Sequence, residues 1–549
     1  MILGRRGVLG VLFTTALVTG GWAARAGDVT AISPGPISPD YASVPAMADP
    51  LAGALATALA TAVADGVLDK GDAADIAAFY AGRGNMPVWV ADGTYTPAAR
   101  GLMDRIARAG EDGLDPADYR LPWAELGRDF QSPPARVAHY DILLSQAVAL
   151  YARHAYAGRV TPTKVSANLD YAVDPPSAGE VLALVSESHD PAATLAAYNP
   201  PHPEFAALRA ELARLRAEDG AAQALPEVPG GALLKPGMSD PRVPVIRARL
   251  QLAAARVDPE VYDEALVAAV ESFQASAGLR VDGLVGKNTV AAMNRRGADP
   301  VATILVNMER WRWMPRDLGD FHVAVNIPEY TLRVRRGGEV TYDTRVVVGK
   351  VGSPTPAFSD EIRHVVVNPY WNVPPSIVRN EMLPKLRSGG GMRGYQVLAN
   401  VGGKVRAVDP RQVNWQKVDA RKIQVRQPPG SANALGQVKF LFPNKHNVYL
   451  HDTPSKSLFE REVRAYSHGC VRVMNPWDFT EALLSNPGEA SAAALRKRVG
   501  GGESWSNLQT LVPVHITYFT AFFDPAGKLQ VRDDIYGHDK RVAAALGLS

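Results

Sequence analysis

Cys470 is the only cysteine in this 549-residue chain, and it stands in Tyr466-Ser467-His468-Gly469-Cys470-Val471-Arg472-Val473. A second histidine, His451, lies 19 positions upstream in Val448-Tyr449-Leu450-His451-Asp452-Thr453. A lone thiol forms no intrachain disulfide, and nearby histidines point to a reactive thiolate. Free cysteine has a pKa of about 8.5 and is mostly thiol at neutral pH. A neighbouring imidazole can take its proton and leave a thiolate–imidazolium pair. Gly469 lets the backbone approach closely, so the amides around Cys470 are candidate oxyanion donors, with the Tyr449 hydroxyl as another. Losing one such donor typically costs on the order of 10²-fold or more in rate. The chemistry expected of this set is acyl transfer through a thioester.

Strands must present these groups. If residues 448–451 are a strand, Val448 and Leu450 point to the core while Tyr449 and His451 share the other face. If residues 470–473 are a strand, Val471 and Val473 are core while Cys470 and Arg472 share the other face. As neighbours, the two strands would gather Cys470, His451, Tyr449 and Arg472 around one pocket. Strand character begins at Phe321: residues 321–327 and 331–334 alternate, residues 344–348 are β-branched, and Gly337-Gly338 reads as a hairpin turn. Further strands are expected at 364–368, 438–441 and 514–523, which argues for a β-sandwich or another β-rich domain. Residues 376–436 break the strand rhythm with Met382-Leu383-Pro384, Gly389-Gly390-Gly391 and Pro428-Pro429-Gly430. They read as an inserted lid or cap.

Upstream the chain is helical. Residues 51–224 are Ala- and Leu-rich, with helical spacing over 51–63, 137–157 and 203–217. No chemistry is legible there, and a scaffold or partner surface is expected. Residues 225–239, rich in Gly and Pro, read as a linker. At the N-terminus, Arg5-Arg6 precedes an apolar run over 8–18 and then Ala24-Arg25-Ala26. The run falls short of the roughly 20 residues a membrane span needs. Residues 1–26 therefore read as a cleaved signal peptide, by the Sec or the twin-arginine route, and 27–50 as a flexible leader. With 46% hydrophobic residues the chain is long enough for three or four domains, and a net charge of +3 gives no argument for nucleic acid. No His-Glu-x-x-His or cysteine pair points to a metal, and no metal or organic cofactor is expected.

Residues 240–297 contain Phe273-Gln274, Gly278-Leu279, Asp282-Gly283 and Thr289 in order, on helices expected near 245–252 and 265–273 and from Lys287. This pattern resembles the small three-helix peptidoglycan-binding domain of many cell-wall hydrolases and transpeptidases. Ser467-His468-Gly469-Cys470-Val471-Arg472, with His451 and the intervening residues 452–466, closely resembles the signature of the L,D-transpeptidases. The resemblance extends to Asn368-Pro369-Tyr370-Trp371, Arg426-Gln427-Pro428-Pro429-Gly430, Lys439-Phe440-Leu441-Phe442-Pro443-Asn444 and Asp534-Ile535-Tyr536-Gly537, as in large Gram-negative members. It implies a multidomain α+β chain: a helical scaffold over 51–224, a peptidoglycan-binding domain over 240–297, and a β-sandwich-like catalytic domain over 298–549 with a capping insertion about 376–436.

The resemblance also implies roles. Cys470 is the nucleophile, and His451 ranks above His468 as base. Ser467 and Thr453 are candidate hydrogen-bond partners, and Tyr449 and Gly469 candidate oxyanion or substrate contacts. Arg472 is a candidate for a stem-peptide carboxylate, and Trp371 for the substrate groove. Asp452 stands where many smaller members carry glycine, which leaves the third catalytic partner open. The implied reaction attacks the third residue of a tetrapeptide donor, expels D-alanine, and passes the acyl group to the side-chain amine of a diaminopimelate acceptor as a 3→3 cross-link. Carbapenems are expected to acylate Cys470, and the implied location is the periplasm. Water as acceptor (L,D-carboxypeptidase or endopeptidase), a protein amine as acceptor (anchoring of an outer-membrane protein), and a non-catalytic wall-binding scaffold are the alternatives.

Overall fold

The computed structural model describes residues 49–122, 133–218, 226–253, 258–294, 299–401, 404–419 and 423–548. The expected signal peptide over 1–26 and the leader as far as residue 48 lie outside the described residues. From Pro50 onward the chain is multidomain α+β.

The helical periodicity is realised as Pro50–Thr61, Pro134–Ala157 and Pro203–Glu218. Leu55, Tyr80, Leu102, Tyr151 and Leu182 share one core. At its centre the buried Asp141 carboxylate accepts the N–H groups of Val88, Trp89 and Val90 and the Tyr80 hydroxyl. A buried carboxylate persists only with its lone pairs satisfied. The Val88-Trp89-Val90 segment is thereby pinned to the helix Pro134–Ala157.

The next unit packs Val243–Arg249, Glu264–Ser276 and Lys287–Asn294 around Ile246, Leu266, Val270 and Met293. Leu250 and Leu252 fall outside the first helix, contrary to expectation. The chain breaks at Gln251, whose φ is +56°. Gln274 ties the unit together: its Oε1 accepts the N–H of both Asp282 and Gly283 at 3.0 Å.

Helix Pro300–Trp313 is buried from Ala302 through Trp313 and escaped the sequence reading. A helix covered on every side has no polar stripe, so amphipathic spacing cannot announce it. Its charges are paired internally: Arg310 meets Asp539 at 2.6 Å and lies over the Tyr518 ring.

The β-rich region follows. Its strands are β1 (Phe321–Asn326), β2 (Thr331–Arg336), β3 (Glu339–Gly349), β4 (Phe358–Val367), β5 (Trp371–Asn372), β6 (Gln396–Val401), β7 (Lys404–Val408), β8 (Ile423–Gln427), β9 (Val438–Leu441), β10 (Leu450–His451), β11 (Ala465–Ser467), β12 (Val471–Val473) and β13 (Ser504–Thr517). Nine of them form one sheet in the order β11-β3-β12-β10-β9-β4-β13-β1-β2, and β2 also pairs with β3. The ladder thus returns on itself, and the layers of the sandwich-like domain are continuous through the 11-residue strand β3. Its core includes Val325, Leu332, Val365, Phe440, Leu450, Val471 and Ile516.

Strand lengths differ from expectation in several places. β4 begins at Phe358 rather than 364. Residues 514–523 divide between the end of the 14-residue β13 and a short strand, Ala521–Phe523. Residues 448–451 contribute only Leu450–His451 to the sheet. The segment expected to lack strands contains β6, β7 and β8, which pair with β5 as a separate four-stranded sheet. Val373, Val378, Leu383, Leu386 and Val425 give this cap its own small core. Its strands are flanked by glycine and proline runs and half-solvated, so alternation there is weak.

Candidate active site

Parallel pairing of β10 with β12 is the joint that builds the site. Leu450 lies opposite Val471, and His451 opposite Arg472. Strand alternation then buries Leu450, Val471 and Val473 in the core. Tyr449, His451, Cys470 and Arg472 line a cleft of about 970 Å³, with Trp371, Pro375 and Glu381 of the cap region forming the opposite wall.

Cys470 is half-buried just before β12, where the chain leaves a tight turn. Gly469 holds φ at +114°, a conformation that side chains other than hydrogen rarely adopt. Ser467 braces this turn: its hydroxyl donates to the Cys470 carbonyl and accepts the Gly469 N–H at 3.1 Å. The Gly469 amide is therefore committed, which removes it as an oxyanion donor and leaves the Cys470 amide and the Tyr449 hydroxyl. A second chain of bonds supports the turn from below. The Gly469 carbonyl accepts the Thr355 hydroxyl at 2.8 Å, and the Thr355 hydroxyl accepts the Gly349 N–H. The Tyr536 hydroxyl donates to the Gly349 carbonyl at 2.6 Å and accepts the Thr355 N–H at 3.2 Å. Tyr518 in turn accepts the Tyr536 N–H and donates to Asp534. The Asp534-Ile535-Tyr536-Gly537 motif thus acts on the cysteine turn through Thr355.

Burial pushes the Cys470 thiol up to about 11, against hydrogen bonds from Tyr449 and the charge of Arg472. Burial, followed by the Arg472 charge, pushes His451 down to about 3. Both shifts favour neutral partners at rest, in contrast to the thiolate–imidazolium pair expected from the sequence. His451 Nδ1–H donates to the backbone carbonyl of Asp452, which fixes the tautomer and leaves Nε2 as the acceptor. The Asp452 carboxylate faces away, accepting the Gln437 N–H at 2.9 Å and Lys456 Nζ at 2.8 Å. The group that orients His451 is thus a main-chain oxygen, which no side-chain motif could have revealed.

The other predicted residues sort by geometry. His468 points to the cap, its Nε2–H donating to Glu381, which also pairs with Lys350 at 3.7 Å. That commitment argues against His468 as the base. Thr453 is buried and accepts the Ser455 N–H, so it caps a turn and does not orient the histidine. Trp371 lines the cleft from β5. Arg472 also lines it, and its Nε is buried with no hydrogen-bond partner among the described residues.

Lys439 and Asp170 were missed. Lys439 lies opposite His451 on β9 and faces the cleft. An inward lysine on an otherwise apolar strand was the available signal. Asp170 belongs to the helical region. Its N–H donates to the Ala357 carbonyl, and its carboxylate takes Lys445 Nζ at 2.8 Å and His446 Nε2 at 2.7 Å. The next residue, Asn447, sits at φ +54° and offers its carbonyl to the Cys470 thiol at 3.8 Å. Asp170→Ala is expected to slow acylation of Cys470 about tenfold, since small misplacements of reacting groups cost that much or more. A time course of adduct formation checks this, and a rate within twofold of wild type would remove Asp170 from the positioning of the site.

Comparison with known proteins matches three segments of the chain. Residues 320–485 match the model of the "L,D-transpeptidase catalytic domain", 240–293 that of the "Putative peptidoglycan binding domain", and 74–212 that of a "Scaffold domain". A relative from Haemophilus influenzae, described as "Putative L,D-transpeptidase", is 34% identical over 248 residues, 44% of this chain and 49% of its own. The chain thus spans about half the length of the curated relative it matches. Among solved structures, an L,D-transpeptidase from Mycobacterium smegmatis is 15% identical, over 36% of this chain and 58% of its own, with a TM-score of 0.18. One from Stackebrandtia nassauensis is 15% identical, over 54% of this chain and 97% of its own, with the same TM-score. Scores that low carry no argument here.

Proposed function

From the premise that this chain carries an L,D-transpeptidase catalytic domain beside a peptidoglycan-binding domain, we propose that it forms 3→3 peptidoglycan cross-links through a thioester on Cys470. The observation that carries this reading is the β10–β12 pairing, which lines one cleft with a thiol and an imidazole of fixed tautomer.

In the proposed reaction, Cys470 Sγ attacks the carbonyl carbon of the third residue of a tetrapeptide stem. The thiol proton passes to His451 Nε2 as the S–C bond forms, so charge separation never has to precede attack. The Cys470 N–H and Tyr449 hydroxyl receive the developing oxyanion. His451 returns its proton to the departing amide nitrogen, the C–N bond breaks, and D-alanine leaves. The side-chain amine of a second stem's diaminopimelate then attacks the thioester, giving up its proton to His451, and the thiol is regenerated. Arg472, which lines the cleft, supplies a positive charge toward a stem carboxylate. A carbapenem enters the same path by ring opening at its β-lactam carbonyl. This reading requires the mature chain to act outside the cytoplasm, where its substrate lies.

Incubation with purified disaccharide-tetrapeptide tests it. The expected products are a dimer containing a diaminopimelate–diaminopimelate bond and one D-alanine released per cross-link. Disaccharide-tripeptide as the sole product would replace transpeptidation by L,D-carboxypeptidase activity.

A further inference from the structure

The peptidoglycan-binding unit carries a pocket of about 430 Å³ bordered by Gln274, Asp282, Lys287, Asn288 and Thr289. Gly231 and Leu233 of the preceding segment also border it, and one bordering residue comes from far along the chain: Glu462, in the loop that leads from the 3₁₀ turn Lys456–Glu460 into β11. Its Oε1 accepts the backbone N–H of Arg280 at 3.0 Å and its Oε2 faces Asn288 Nδ2 at 3.4 Å. The same unit is docked at a separate point, where Arg532 donates to the Ser276 carbonyl at 2.8 Å.

We propose that Glu462 is an internal stand-in for a ligand carboxylate, so that an acidic stem peptide entering this pocket displaces the catalytic domain's own loop. This rests on the reading that peptidoglycan is the ligand. Three observations support it. First, the groups that hold Glu462 are a main-chain N–H and a side-chain amide, and Lys287 borders the same pocket. That is a donor set suited to a carboxylate and unsuited to a neutral sugar hydroxyl alone. Second, the pocket floor is pre-formed. Gln274 Nε2 donates to Asp282 and the Leu284 carbonyl, so occupancy requires no refolding of the unit. Third, the unit has a further point of attachment outside this contact, the Arg532–Ser276 bond.

The consequence is a linkage. A ligand that needs the pocket free binds with its intrinsic affinity multiplied by the fraction of molecules in which Glu462 is out. By reciprocity, the bound peptide frees the loop that begins at Arg461 and enters the cysteine turn at Ser467. Wall engagement and the mobility of the segment before Cys470 are therefore coupled.

The test uses the full chain with Cys470→Ala, so that acyl transfer plays no part, and the soluble tripeptide L-Ala-γ-D-Glu-meso-diaminopimelate as probe. Titration calorimetry on Glu462→Ala is expected to give about tenfold tighter binding than with Glu462 present, the gain that follows from a contact closed about nine-tenths of the time. Adding Asn288→Ala is expected to cancel that gain, whereas tripeptide held only in the catalytic cleft would be indifferent to it. Unchanged affinity in Glu462→Ala, or a gain that survives Asn288→Ala, would overturn the proposal. Retention of the Glu462-containing protein on isolated sacculi is a separate readout. Its loss would count against peptidoglycan as the ligand, whatever Glu462 does.

Discussion

Intact-mass measurement on a carbapenem mixture is expected to show a one-to-one adduct on wild type, none on Cys470→Ala, and acylation slowed by about 10²–10⁴-fold in His451→Ala. His468→Ala is expected to stay within about tenfold of wild type. The asymmetry between the histidines follows from their partners. His451 gives Nδ1–H to a main-chain carbonyl and keeps Nε2 as an acceptor, which the proposed reaction needs, while His468 is committed to Glu381 across the cleft. Removing the first deletes the proton acceptor. Removing the second loosens a tie between cap and core. A His468→Ala rate as low as that of His451→Ala would reverse the assignment.

The same site predicts an unusual pH dependence. With the thiol pushed up to about 11 and the imidazole down to about 3, neither partner is charged at pH 7. Below the thiol's folded pKa, the thiolate fraction grows about tenfold per pH unit. Alkylation by iodoacetamide, a neutral reagent that needs preformed thiolate, is therefore expected to accelerate continuously from pH 7 to 10. A plateau beginning near pH 6 would mean a resting ion pair and would sink the neutral-pair account. A substrate that accepts nucleophilic attack while His451 takes the proton escapes this limit, so carbapenem acylation should depend on pH far less than alkylation does.

Much of this site was legible because strand alternation is a two-residue rule and the motif occupies two strands. Once Val448, Leu450, Val471 and Val473 are taken as core, the faces of Tyr449, His451, Cys470 and Arg472 follow. Adjacency of the two strands did not follow, because a parallel pair is joined by a crossover whose path local sequence does not encode. What escaped entirely was long-range or main-chain in nature. The Asp452 carbonyl that orients His451 has no side-chain signature. Asp170 lies 275 and 276 positions from the two loop residues it holds. Helix Pro300–Trp313 has no exposed stripe, and its buried Arg310 and Arg312 look like surface residues until their partners are known. The cap strands β6, β7 and β8 pair only with one another and with β5. Such half-solvated ribbons leave a faint hydrophobic alternation.

Gly349→Ala is expected to be the most damaging substitution away from the reacting groups, and Gly352→Ala, three residues on, its harmless control. A Cβ at Gly349 would stand 2.2 Å from the Ser353 carbonyl oxygen, 2.6 Å from the Thr355 nitrogen and 2.8 Å from the Pro354 carbonyl carbon. All three are main-chain atoms, so no rotamer change relieves the overlap, and the 349–355 turn must open. That turn is clamped on both sides: Gly349 N–H donates to the Thr355 hydroxyl, and Tyr536 bridges the Gly349 carbonyl and the Thr355 N–H. Opening it draws Thr355 away from the Gly469 carbonyl and releases the turn that aims Cys470. We expect a loss of roughly 2–4 kcal/mol in stability, in the range of severe overpacking. We also expect acylation at least about 10²-fold slower, even in protein that remains folded. Gly352 has no atom within 4 Å of its would-be Cβ, so alanine there should leave stability within about 0.5 kcal/mol. Denaturant melts and carbapenem acylation rates on both variants decide the matter. Equal rates would mean that the 349–355 turn does not position the nucleophile. A slow, fully stable Gly349→Ala would mean that the turn opens at no cost to the fold and that the damage is confined to the aim of Cys470.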